Sequence, residues 1–288
     1  MKNNSYLLAL DGSAEARAAA YLAWDLAKKT GARVDAQHVI NVRDTWRFLR
    51  PKSAGFIGSG SYMEAFQRVS DGLRSVGEAL MVSYRAQVEG QNINFAAHLD
   101  EGDLVTEICK RARLHDLLII GHRKSPKTVQ LGDYSLCEEL AGICSCPMLL
   151  VTASCDQWNK MCIHIEDTKV DLRAIETLSQ FGQKLALSMK LHISSSIPLS
   201  EVKALLNALS LCHGFKSWEI YMDNGKQENA AADELRVIMP ILNERAVNGV
   251  KSLRASIHEL SEPALLVWPQ KMAGKELLST WSGKGTNQ

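Results

Sequence analysis

The chain has almost no charge of one sign to spare. Its 33 basic and 32 acidic residues leave a formal net charge of +1, and divided near residue 154 each part stays within one unit of neutrality. Neither nucleic acid nor an anionic membrane surface is therefore implied as a partner. Long hydrophobic runs are missing too: the apolar stretches are strand-sized, against about 20 residues for a membrane-crossing helix. Met1-Lys2-Asn3-Asn4 leads straight into such a stretch, without the pattern of a secretory signal. These absences point to a cytoplasmic protein. The sequence contains no Gly-x4-Gly-Lys-Ser/Thr loop, no paired metal-ligand motif and no Gly-x-Ser-x-Gly elbow, so the usual carriers of P-loop, zinc and serine-hydrolase chemistry are missing. No residue is assigned a catalytic role, and weak ATP hydrolysis is the most an enzymatic reading holds.

Cysteine is present in an odd number, seven, spread along the chain, which suits reduced thiols better than a disulfide framework. Cys144-Ser145-Cys146 is the one close pair. A lone Cys-x-Cys reads either as inert thiols or as half a metal site.

What is there is length and apolar content: 288 residues, 46% of them hydrophobic, enough for two compact domains. The expected division is 1–154, 155–270 and a C-terminal tail over 271–288. Tyr6 to Leu10 predicts a strand, stopped by Asp11-Gly12-Ser13, with Ser13 a helix N-cap candidate. Ala16, Ala19, Ala20, Ala23, Leu26 and Ala27 recur at helical spacing before Gly31, and Val34 to Ile40 returns as a strand. The simplest crossover is a right-handed βαβ unit. Residues 41 to 60 form a basic, aromatic-bearing loop, read either as a lid or partner surface or as a solvated connection. Phe66 to Tyr84 predicts a long helix weakened at Gly72 and Gly77.

Ile93 to His98 reads as a third strand, followed by a helix carrying Val105, Ile108 and Ala112. Leu117-Leu118-Ile119-Ile120 is apolar at every position, which predicts a central strand covered on both faces. It ends in Gly121-His122-Arg123-Lys124, and the chain reaches a short helix (Leu136, Leu140, Ile143) and a fifth strand at Pro147 to Val151. A strand that ends in glycine ahead of a helix N-terminus is a place where an α/β protein can hold phosphate.

The order of elements then repeats with little identity: a strand at Lys160 to Ile165, a helix through Leu172 to Leu185, a strand at Leu191 to Ser194, a helix at Val202 to Leu209. Strands at Trp218 to Met222, Leu235 to Leu242 and Ala264 to Val267 follow. Asp167 takes the place of Asp11, and the turn after the fourth strand has no glycine until Gly249, so any site in this half is read as lost.

Leu8-Ala9-Leu10-Asp11-Gly12-Ser13, Glu101-Gly102-Asp103, Asp116-Leu117-Leu118-Ile119-Ile120-Gly121 and Cys146-Pro147-Met148-Leu149-Leu150-Val151 together resemble the universal stress protein family in order and spacing. The resemblance covers about residues 5 to 152 by motif and 160 to 269 by pattern, like a tandem two-domain member. It implies two tandem doubly wound α/β domains, Rossmann-like, each with a five-stranded, mainly parallel sheet flanked by helices. It also implies internal domain pairing or a homodimer through the last strand, and an adenine nucleotide, ATP or a relative, as ligand.

The family's glycine motif, Gly-x2-Gly-x9-Gly-Ser/Thr, maps Gly121 to the first glycine, Lys124 to the second and Gly132, two residues early, to the third, with Asp133 in place of the hydroxyl. By the same resemblance Ala9, Leu10 and Asp11 meet ribose and adenine, Val39 meets the adenine, Ile120 belongs to the nucleotide-binding set, and Tyr134 and Ser135 meet phosphate. A side chain at Lys124 hinders close backbone approach, and the Asp133 carboxylate repels polyphosphate. Arg123, Lys124, Lys127 and His122 stand as replacement phosphate contacts or as solvated loop groups. Asp11 reads equally as an Asx turn. Two functions stay open: a stress-response regulator that binds nucleotide in its first domain, and a nucleotide-independent scaffold of the same fold that recruits a protein partner.

Overall fold

The structure, a computed structural model, describes residues 4–41, 59–123, 135–144, 146–152, 158–165, 172–210, 218–223, 234–238, 257, 260 and 263–267. In chain order the first half runs β1 (Ser5–Ala9), α1 (Ala14–Thr30), β2 (Arg33–Ile40), α2 (Ser59–Glu89), β3 (Phe95–Glu101), α3 (Leu104–Ala112), β4 (Leu117–Gly121), α4 (Leu136–Ile143) and β5 (Met148–Val151). The second half runs β6 (Lys160–Ile165), α5 (Leu172–Lys184), β7 (Ser188–Ser194), α6 (Leu199–Leu209), β8 (Glu219–Asp223), β9 (Glu234–Ile238) and β10 (Ala264–Leu266).

Local chemistry sets the helix ends. Ser13 has extended backbone and its Oγ accepts from the Ala16 N–H at 3.0 Å, which starts α1. Glu15 lies in its first turn, Lys28 and Lys29 in its last, and Gly31 closes it at φ 70°, a left-handed position where a Cβ is costly. Ser135 begins α4 through a complete capping box with Glu138. Asp103 caps α3 by accepting from Thr106 N–H at 3.0 Å.

The strands form one ten-stranded sheet in the order β3-β2-β1-β4-β5-β10-β9-β6-β7-β8. Each run of five has the doubly wound strand order, and the order of one is the reverse of the other across the β5·β10 contact. That contact is the one antiparallel ladder among the described strands, with Leu149 opposite Leu265 and Met148 opposite Leu266. Internal pairing through the last strand of each half is thus present.

Side chains alternate between two apolar layers, as the period of two requires. Tyr6, Leu8, Leu117, Ile119 and Leu149 face α1 and α2, in a layer continuous with Met161, Ile163, Leu191 and Ile193 beneath α5 and α6. Leu7, Ala9, Leu118, Ile120, Met148 and Leu150 face α3 and α4. β4 lies between β1 and β5 with Leu117 to Ile120 all buried, the central position its apolar run predicts.

The halves differ on that second face. Between β3 and β4 the chain has residues 102–116, which carry α3; between β8 and β9 it has only 224–233. Among the described residues, His164, His192 and Tyr221 line up across β6, β7 and β8, with ring centroids 4.9 and 5.1 Å apart. Lys190 bonds Glu234 at 2.6 Å beside them. The expected strands at Trp218 to Met222 and Leu235 to Leu242 appear as β8 and β9 with shifted ends, and residues 239–242 lie outside the described set, as do Asp167, the 42–58 loop and the 271–288 tail.

Candidate functional site

β1 connects outward to β2 on one side and neighbours β4 on the other, so the crevice at their C-terminal ends is the point where strand order reverses. Ligands of open α/β sheets sit at such points. Ala9 is in register with Gln37 on β2 and Ile120 on β4. Ala9, Val39 and Ile120 are buried on the face shared with α3 and α4. Leu10 is buried on the opposite layer; its N–H donates to Gln37 O at 2.9 Å, and its carbonyl lies 2.7 Å from His38 Nδ1.

Gly121 marks the tightest approach. A Cβ built there would lie 2.5 Å from the Ala16 amide nitrogen and 2.6 Å from the Glu15 carbonyl carbon, both backbone atoms that cannot swing aside. Only glycine lets the end of β4 lie against the first turn of α1. The Gly121 carbonyl accepts a long hydrogen bond, 3.6 Å, from the Cys137 thiol on α4. Burial pushes the Cys137 thiol up to about 12, with the charges of Glu138 and Asp11 adding to it, so it stays protonated at neutral pH. The first turns of α1 and α4 therefore flank the end of β4.

Asp11 is exposed, and its Oδ1 accepts from the Ser13 N–H at 2.9 Å, which closes an Asx turn. Ser135, the N-cap of α4, is engaged with Glu138 on its own helix. Arg123 projects from the end of β4 with 86% of its side chain exposed, 3.8 Å from the Glu15 carboxylate. His122 is not an outward loop group: it is 2% exposed and its N–H donates to Val151 O at 2.7 Å. Lys124, Lys127, Gly132, Asp133 and Tyr134 lie outside the described residues. Among the described residues the structure thus brings Ala9, Asp11, Ile120, Gly121, Arg123 and Ser135 to one end of the sheet, and Val39 onto the same face.

A second polar assembly was not singled out by the motifs. On β2, Arg33 donates to Asp35 at 2.6 Å and buried Gln37 donates to Asp100 at 2.7 Å. Arg111 of α3 grips Asp100 with both Nε and Nη2, at 3.0 and 2.7 Å. The Nε2 atoms of His115 and His98 stand 3.3 and 3.8 Å from Asp35 Oδ2. Burial pushes the Asp35 carboxyl up, but hydrogen bonds from Arg33 and His115 outweigh it and hold the group below the usual carboxylate range. Burial and then the Arg111 guanidinium hold His98 below an ordinary histidine. The signal in the sequence was the polar set Arg33, Asp35, Gln37 alternating with apolar Val34 and Ala36.

Comparison with known proteins follows the same outline. The sequence model of the universal stress protein family matches residues 4–152. No curated protein matches the chain. Among solved structures, a universal stress protein from Archaeoglobus fulgidus DSM 4304 covers 95% of this chain and 100% of its own, at 14% identity and TM-score 0.59. A protein of unknown function from Pseudomonas aeruginosa PAO1 covers 98% of each chain at 13% identity and TM-score 0.56. A universal stress family protein from Arabidopsis thaliana, solved with AMP bound, covers 52% of this chain and 91% of its own at 14% identity and TM-score 0.34, and places nothing here. At these identities the likeness is one of fold, extending over both halves of the sheet.

Proposed function

Because the chain belongs to the universal stress protein family, we propose that it is a cytoplasmic regulator of the stress response whose first domain, 1–154, holds ATP or another adenine nucleotide. The second domain, 155–270, serves as its internal pairing partner and as a surface for a protein partner. The base sits against Ala9, Val39 and Ile120, the ribose beside Leu10 and Asp11, and the phosphates between Gly121 and Ser135. Arg123 and Lys124 supply charge there, and Gly132, Asp133 and Tyr134 complete the loop.

The observation that carries this reading is Gly121. Its missing side chain lets the end of β4 meet the first turn of α1 backbone to backbone, so amide groups of α1 and α4 flank one crevice at the switch point. Arg123, largely solvated, adds a guanidinium that grips phosphate in place of a glycine amide. The competing reading, a nucleotide-independent scaffold, is favoured by Asp11, whose carboxylate already closes its own turn.

The test is to purify the protein without added ligand, release what it carries, and identify it by mass spectrometry alongside the charge-reversed pair Arg123→Glu with Lys124→Glu. An adenine nucleotide carried by the parent and lost from the variant, at unchanged melting temperature, supports the proposal. A parent that carries none, and binds none when ATP is added, leaves the scaffold reading.

A further inference from the structure

Gly121 brings the backbone of Glu15 against the end of β4, and the Glu15 side chain stays beside it. Only 16% of that side chain is exposed, and its Oε1 lies 3.8 Å from Arg123 Nε. Two more carboxylates stand around the same strand end: Asp11, which closes the turn before α1, and Glu138, 5% exposed in the first turn of α4. The charges of both reach the Cys137 thiol, which is bonded to the Gly121 carbonyl. Three carboxylates thus face the Arg123 guanidinium, a net −2 for the four groups. Lys124, Lys127 and Asp133, in the stretch that follows, bring the set to −1.

Donors are few as well. The Ser13 N–H goes to Asp11 Oδ1 at 2.9 Å and the Ala16 N–H to Ser13 Oγ at 3.0 Å. At α4 the Ser135 N–H goes to Glu138 Oε2 at 3.2 Å and the Glu138 N–H to Ser135 Oγ at 3.3 Å. What remains is the first two amides of each helix, which have no intrahelical carbonyl to bond, and Arg123. The Nε of Arg123 is its atom nearest Glu15, so its two Nη groups are left for a ligand, a fork that fits one phosphate.

We propose that this crevice discriminates by the number of phosphates, taking an adenine mononucleotide, AMP, in preference to ATP, with Glu15 as the specificity-determining residue. This preference rests on the nucleotide reading above and narrows its ligand to one class. A phosphomonoester brings about −1.5 to −2 of charge, which the Nη fork and the free amides can meet. Each further phosphate adds negative charge beyond that fork, close to a carboxylate that burial shields from salt screening. Drawing Arg123 wholly onto a polyphosphate would also strip the largely buried Glu15 of its partner. Asp11 and Glu138 hold backbone amides, whereas Glu15 closes no turn and caps no amide, so its charge can be removed with the local shape kept.

The experiment titrates the full-length protein with AMP and with ATP by calorimetry, in EDTA to keep divalent cations off the phosphates. Glu15→Gln and Asp25→Asn are run beside the parent. Asp25 is an exposed carboxylate paired with Lys29 on the same helix, about 15 Å from Glu15 along the axis. The parent should bind AMP about tenfold or more tightly than ATP. Glu15→Gln should tighten ATP by about tenfold and AMP by much less, and Asp25→Asn should keep the parent's ratio. ATP bound by the parent as tightly as AMP would overturn the preference and leave the nucleotide site standing. So would a ratio that Glu15→Gln leaves unchanged, or that Asp25→Asn shifts as far. Binding of neither nucleotide, by parent or variants, removes the site itself and the preference with it.

Discussion

Glycines in this chain divide by what a methyl group would meet. At Gly121 the new carbon would strike backbone of α1 at 2.5 Å, so Gly121→Ala should cost roughly 1–3 kcal/mol, the range of overpacking in a close-packed interior. A lower urea midpoint without any nucleotide present is the expected reading. An unchanged midpoint would mean β4 and α1 are not in that contact. The same geometry makes a bulky residue at Gly121 a poor probe of ligand binding, since fold and site fail together. Gly72 and Gly77 both read from sequence as helix-weakening residues, yet they stand differently in α2. Nothing lies within 4 Å of a Cβ at Gly72, whereas one at Gly77 would meet Leu99 Cδ1 at 2.7 Å and His38 Cδ2 at 2.9 Å. Gly72→Ala should therefore stabilise by about 0.5–1 kcal/mol from helix propensity alone, and Gly77→Ala should gain less or lose stability, measured by urea midpoints of the two variants side by side. Sequence marks where a glycine interrupts a helix pattern. It does not show the partner that arrives from a strand far along the chain.

Elements were legible where their period was strong. The apolar run of β4, the alanine face of α1 and the cap at Ser13 follow from local chemistry, and these elements lie where that chemistry puts them, whereas the cap at Ser135 was not read from the sequence. The Asp35, His98, His115, Asp100 and Arg111 assembly was not legible, because β2, β3 and α3 each give only part of it. Its titration gives an element-scale prediction. His98 has its folded-state value depressed, so the unfolded chain binds the proton more readily, and stability is lost as pH falls below the ordinary value of 6.5. Asp35 is likewise depressed; its contribution is present above 3.8 and is lost as pH falls through its lower folded value. Urea midpoints should be level above about pH 6.5, then decline toward acid in two steps, and His98→Gln should flatten the upper step. A midpoint that rises on acidification from neutrality would contradict the assignment.

At the scale of the molecule, the two halves are one sheet because β5 and β10 supply each other's edge. Leu265 is 3% exposed, opposite Leu149 at the centre of that ladder. A carboxylate there has no partner, so Leu265→Asp should destabilise by about 3 kcal/mol or more and free the β5 edge to pair between molecules. Lower denaturant resistance with oligomers on size exclusion is expected; a monomer of unchanged stability would contradict it. The resemblance to the family implied this pairing through the last strands; the repeat of element order implied only two similar halves. What sequence order could not reveal was the row of His164, His192 and Tyr221 side by side on β6, β7 and β8, because each strand gives only one of the three rings. In the sequence, the first half has Gly121 at the end of its fourth strand, while the second has no glycine after its own until Gly249. Calorimetric titration of the full-length protein with ATP, ADP and AMP tests that asymmetry most directly. Saturable heat with one nucleotide bound per chain, abolished by Arg123→Glu with Lys124→Glu, is the predicted result; no heat with any of the three, or two equal sites per chain, would contradict it.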